Sequence, residues 1–133
     1  MSVQGILQEA LRAALAGHAP LAGAVTAIFD APPVRAARPY ALIDEAVLVD
    51  WGTKDMAGRE GRIAVRIFDS GERPVRLRGL AGAAEDAVAA MPVVLGEGWR
   101  IASLVLLRSR IVREGEARWV ATSEWRVRLL RSG

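Results

Sequence analysis

WRIASLVLLRSRIVREGEARWVATSEWRVRLL, residues 99–130, decides the fold. Two runs rich in β-branched and aromatic residues flank the turn signal Glu114, Gly115 and Glu116. That pattern reads as a long antiparallel hairpin, from Trp99 to Arg113 and from Ala117 to Leu130. In the second run Trp119, Ala121, Ser123, Trp125, Val127 and Leu129 share one face, and Arg118, Thr122, Glu124, Arg126 and Arg128 share the other. In the first run Ile101, Val105, Leu107 and Ile111 alternate with Leu104, Leu106, Arg108 and Arg110, so both faces are partly apolar and one of them must meet something besides water.

Upstream, Arg62 to Asp69 alternates with period two, placing Ile63, Val65 and Ile67 opposite Arg62 and Arg66. Tyr40 to Glu45 is another strand, opened by Pro39 where a missing donor is tolerated, and Ala24 to Phe29 is a shorter one before the turn at Asp30 to Pro33. Val3, Ile6, Leu7, Ala10, Leu11, Ala14 and Leu15 recur at helical spacing, with Ser2 placed to cap the helix and Gly17 to end it. Leu77, Leu80, Ala81, Ala84, Val88 and Met91 mark a second helix between Pro74 and Pro92. Its Gly79 and Gly82 signal either a close approach to a neighbour or a weak helix. The expected fold is α+β, a single domain over residues 1–133. It has a mostly antiparallel sheet of about five strands and two helices packed on one face, in the order α-β-β-β-α-β-β.

Between two of these strands, Ala46 to Gly61 reads as a long polar loop, and such a loop in a small domain is usually functional or disordered. Trp51, Thr53, Lys54, Asp55, Met56 and Arg59 are therefore candidate interface residues, with Trp51 as apolar anchor and the charged residues as rim. The other tryptophans, Trp99, Trp119 and Trp125, read as core or sheet anchors.

Composition narrows the chemistry. The 133 residues are 52% hydrophobic, enough for one core. No leader pattern opens the chain, and its apolar stretches fall short of the roughly 18 residues a membrane span requires, so the reading is a soluble protein of the cytosol with no membrane partner. The absence of cysteine excludes disulfides, thiolate metal sites and a cysteine nucleophile. Lys54 is the single lysine among 18 basic residues, and the net charge of +3 is spread along the chain rather than clustered with aromatics, weak grounds for sequence-specific nucleic-acid binding. His18 is the only histidine, follows the Gly17 terminator and has no nucleophile motif near it. Asp44 and Glu45 are adjacent in a strand and so point to opposite faces, which argues against a carboxylate dyad. No metal, cofactor or catalytic constellation is assembled, and the expectation is a non-enzyme without cofactors.

The order of these segments resembles a known family. The helix end Leu11 to Gly17, the strand and turn Val25 to Pro33, the run Pro39, Tyr40, Ala41, Leu42 and Ile43, then Thr53, Lys54, Asp55, Gly58, Arg59, Glu60 and Ile63 to Asp69 are similar to the tail-terminator, or tail-completion, proteins of long-tailed phages and of phage-like gene transfer agents. The resemblance spans nearly the whole chain. Relatives often carry an aromatic pair where this sequence has Phe68 and Asp69. The resemblance implies a structural protein assembled in the bacterial cytoplasm and carried in the tail of a virion or gene-transfer particle. It would form a self-associated ring, commonly a homohexamer, at the head-proximal end of the tube, where it ends growth. Its partners would be the major tail tube protein and the head-tail connector, with DNA passing through the bore without sequence recognition. Arg62, Arg66, Arg126 and Arg128 would then face the bore or bond across subunits. Another neck or minor tail component is the alternative, and a small nucleic-acid-binding α+β protein a third reading.

Overall fold

Ser2 does cap the first helix. Its side chain accepts a hydrogen bond from the Gly5 amide at 3.0 Å, and α1 runs Val3–Ala16 before Gly17 ends it. The computed structural model describes residues 2–132. After α1 come a single turn of helix, α2 (Ala19–Ala22), then β1 (Ile28–Phe29), β2 (Tyr40–Ile43), β3 (Val47–Asp50), β4 (Gly58–Ser70), α3 (Val75–Ala89), β5 (Trp99–Gly115) and β6 (Arg118–Arg131).

The strands form one sheet in the order β1-β2-β4-β6-β5, with β3 paired to β4 beyond the end of β2. All pairings are antiparallel except β1 with β2. The α+β reading holds, with one strand and one short helix more than the sequence indicated. Ala24 to Phe29 contributes only its last two residues as strand.

One face of the sheet carries the core. Leu7, Leu11 and Leu15 of α1 and Leu77, Leu80, Ala84 and Val88 of α3 bury against Ile63, Val65 and Ile67 of β4 and Ala121, Trp125, Val127 and Leu129 of β6. These are the positions that the helical and period-two spacings single out. Trp99 and Trp125 are buried, and Trp119 packs at the rim, its Nε1–H donating to the Gly71 carbonyl at 3.0 Å.

Gly79 and Gly82 make no close approach to another element of the same chain, as a weak helix requires. Nothing in the chain lies within 4 Å of where a Cβ would stand at either position. Gly79→Ala and Gly82→Ala are each expected to stabilise the fold by about 0.5–1 kcal/mol through helix propensity and a less flexible unfolded chain, measurable as a higher denaturant midpoint.

Candidate functional site

The segment from Ala46 to Gly61 is not a long loop. Val47–Asp50 is a strand paired with residues Arg59 to Arg62, leaving a tight connection of residues 51–57. The overlooked signal is the apolar run Val47, Leu48 and Val49, which supplies the strand that the polar tip obscures. The tip is closed by backbone bonds from Trp51 N–H to the Gly58 carbonyl (3.0 Å) and from Thr53 N–H to the Met56 carbonyl (2.8 Å). Arg131 N–H ties it to β6 by donating to the Ala57 carbonyl at 2.9 Å. Close approach explains its glycines: a Cβ on Gly52 would stand 2.8 Å from the Met56 carbonyl oxygen, and one on Gly58 3.1 Å from the Trp51 carbonyl oxygen.

The six candidate interface residues fall into three places. Thr53, Lys54 and Asp55 are exposed at the tip, with Met56 half-buried beside them. Trp51 is 37% exposed and carries the Arg128 guanidinium 5.1 Å above its ring. Arg59 turns to the opposite face of the sheet, lying 5.8 Å from the Trp99 ring centroid and 3.5 Å from Asp50.

The arginine face is better gathered than the alternation alone indicates. Extra residues in β5 between Ile101 and Ser103 and between Leu106 and Arg108 shift the parity twice. Ile101, Leu104, Leu106 and Ile111 therefore share the helix-covered side with Trp125, and Val105, Arg108 and Arg110 share the open side with Arg126 and Arg128. This corrects the two alternating sets expected for β5. Arg62, Arg66, Arg108, Arg110, Arg126 and Arg128 lie on the open face against Asp44, Glu60 and Glu124. Arg66 pairs with Asp44 at 3.0 Å and Arg128 with Glu60. Arg62 and Arg108 share Glu124 at 3.8 and 3.5 Å.

Arg62 and Arg126 stand directly opposite each other on β4 and β6, an arrangement that disfavours the isolated sheet. Arg126 has no ion pair among the described residues, and its Nε–H is buried without a hydrogen-bond partner. At the far end of the same face Tyr40 stacks on Phe68 with ring centroids 4.8 Å apart.

The other polar clusters hold the fold. Phe68 and Asp69 point to opposite faces, and Asp69 is buried beside the start of α3. Burial raises its carboxyl, but Arg76, donating at 2.5 and 3.0 Å, the Ser70 amide at 2.8 Å and the nearby Arg38 charge outweigh burial and hold the pKa below its ordinary value. The resulting stabilisation is present above the unfolded carboxyl's pKa of about 3.9 and is lost as pH falls through the lower folded value. Asp69→Asn should therefore be less stable than the parent at neutral pH and show a shallower loss on acidification. Urea midpoints across the acid range measure this.

Glu85 Oε2 accepts from both Ser109 and Ser123 hydroxyls at 2.6 Å, tying α3 to β5 and β6. His18 precedes α2 and makes no side-chain capping bond. Among the described residues no group of three or more His, Asp or Glu is placed to hold a metal ion. An apolar groove of about 450 Å³ between α1 and residues 92–96 offers little beyond hydrocarbon.

A family model described as tail completion protein gp17 matches residues 9–129. Among solved structures, a chain from the virion of a native gene transfer agent particle is similar over 97% of this chain and 98% of its own, at 28% identity and a TM-score of 0.79. The gp17 protein of bacteriophage SPP1 shares the fold, with 17% identity, a TM-score of 0.63 and coverage of 93% and 88%. No curated protein matches the sequence significantly.

Proposed function

We propose, because the chain belongs to the tail completion protein gp17 family, that it is a structural subunit of a ring closing the head-proximal end of a phage-like tail tube. The observation that carries this reading is the end-to-end likeness to a chain of a gene transfer agent virion. In this reading the protein performs no catalysis. Six copies cap the major tail tube protein, stop its growth and present a docking surface to the head-tail connector. DNA crosses the ring without being read, and assembly takes place in the bacterial cytoplasm before the tail joins its head.

The physical features agree. A ring closed by rotation requires two different patches on each subunit, and the two edges of this sheet differ in sequence and charge. Unpaired edge strands are an aggregation liability that assembly removes. The arginines of the open face would suit either a polyanion passing near them or carboxylates of an adjoining copy.

Electron microscopy of particles made with and without the protein tests the reading. Tails of irregular length and tails lacking heads are expected in its absence, and particles of normal length and morphology would overturn the assignment. The arginine face also favours a second reading, in which a monomer binds nucleic acid. DNA affinity of the isolated monomer that falls steeply with salt would support that alternative.

A further inference from the structure

We propose that adjoining copies join by continuing the sheet, the β5 edge of one copy pairing antiparallel with the β3 edge of the next. The inference rests on the ring reading above and names its contact. Four observations lead to it.

The first is unpaired backbone. At the level of β3 the sheet is four strands wide, β3-β4-β6-β5; among the described residues β3 has no partner on its far side, and β5 has one only at Ile101, in the row of Asp50. Residues 93–95 cover only the start of β5, through bonds from Leu95 N–H to the Trp99 carbonyl and from Ile101 N–H to the Val93 carbonyl, each 2.8 Å. The edge from Ala102 onward is left open.

The second is direction. β3 runs antiparallel to β4, whereas β5, antiparallel to β6, runs parallel to it. A rotation about an axis along the strands keeps every strand's sense, so β5 of one copy meets β3 of the next in antiparallel orientation.

The third is the apolar pattern. Val47, Arg62, Arg126 and Val105 form one row across the sheet on the open face, and Val49, Glu60, Arg128 and Ser103 form the next. Val47 and Val49 are 66% and 59% exposed and Val105 is 40% exposed, whereas Ser103 is half-buried, so the first row ends at both edges in apolar side chains that the single chain leaves in water. Joining copies in line with these rows places Val105 against Val47 and hides both.

The fourth is charge. β5 carries Arg100, Arg108, Arg110 and Arg113 against Glu114, a net +3. Residues 44–57 carry Asp44, Glu45, Asp50 and Asp55 against Lys54, a net −3. Arg100, Arg110 and Arg113 on one side and Glu45 and Asp55 on the other make no ion pair among the described residues. Unlike edges attract, and like edges repel. That pattern selects a head-to-tail chain of copies over a two-fold dimer built on β5 alone.

The absence of cysteine makes the test clean. The double variant Val47→Cys/Val105→Cys, oxidised after assembly on tube ends, is expected to give a ladder of covalent species rising in single-subunit steps. A second double variant, Val49→Cys/Ser103→Cys, probes the adjacent row. Each single-cysteine variant is expected to stay uncrosslinked. Rings seen by microscopy without crosslinks in either double variant would overturn the contact and leave the ring standing. Dimers from Val105→Cys alone would overturn it by showing that like edges meet. A protein that never assembles on tube ends would remove both the contact and the ring reading.

Discussion

Gly61→Ala is expected to destabilise the protein by about 3 kcal/mol, toward the upper end of what overpacking usually costs, and to lower its melting temperature by roughly 10 °C. A Cβ at this position would sit 1.7 Å from the Val47 carbonyl oxygen, 2.7 Å from its carbon and 2.9 Å from the Leu48 Cα. All three atoms are backbone, so no side chain can rotate away, and β3 must lift off β4 to make room. The loss should be local in structure as well as large in energy. Amide exchange is expected to accelerate along Val47 to Asp50 and Arg59 to Arg62, while the pairing of β6 with β5 persists. Self-association should fail at protein concentrations where the parent assembles. Circular dichroism melting with hydrogen exchange reads the first effect and light scattering the second. A variant that melts with the parent would show that β3 is not seated as described.

Trp125→Ala is expected to cost about 3–5 kcal/mol, the usual range for emptying a large aromatic site in a core. Trp125 is 3% exposed and stands between Ile63 of β4 and Leu106 of β5, so its removal leaves a cavity at the centre of the sheet. Trp51→Ala provides the contrast. Its ring is 37% exposed and stacks with one guanidinium, an interaction of about 0.5–1 kcal/mol at an exposed site. Its melting temperature should therefore fall less than that of Trp125→Ala, while attachment to tube ends or to the head falls sharply if Trp51 anchors a partner. Thermal melts of the two variants, paired with microscopy of particles carrying each, separate a core role from a docking role. Normal particles with Trp51→Ala would remove this residue from the interface.

The helices and the two long central strands were legible because their apolar positions keep one period throughout. Val3 to Leu15, Leu77 to Met91, Ile63 to Ile67 and Trp119 to Leu129 each place their buried residues as the spacing requires. Two features were not legible, for different reasons. β3 is too short to show a period, and its three apolar residues sit against seven residues of polar turn, so composition outweighed pattern over Ala46 to Gly61. β5 shows an apparent alternation, but added residues reset its phase, and no count of apolar positions in that strand reveals a reset that only its partner defines. The consequence for the site is direct. The open-face arginines of β4 and β6 could be named from sequence, while Arg108 and Arg110, which join them, could not be placed until the register was known.

That resetting also governs how the hairpin finds its alignment. A slip of two residues between β5 and β6 would return each side chain to its own face of a regular ladder, so the sorting of apolar from charged residues does little to forbid it. The irregularities at Ala102, Leu107 and Glu114 are unevenly spaced, and β6 answers them at three particular places. A slide would carry all three bulges to other places along β6 and so change which β6 residues each segment of β5 faces. Every copy thus arrives with the same overhang at its edge, and a structure made by repeating one contact around a circle tolerates no variation in that dimension.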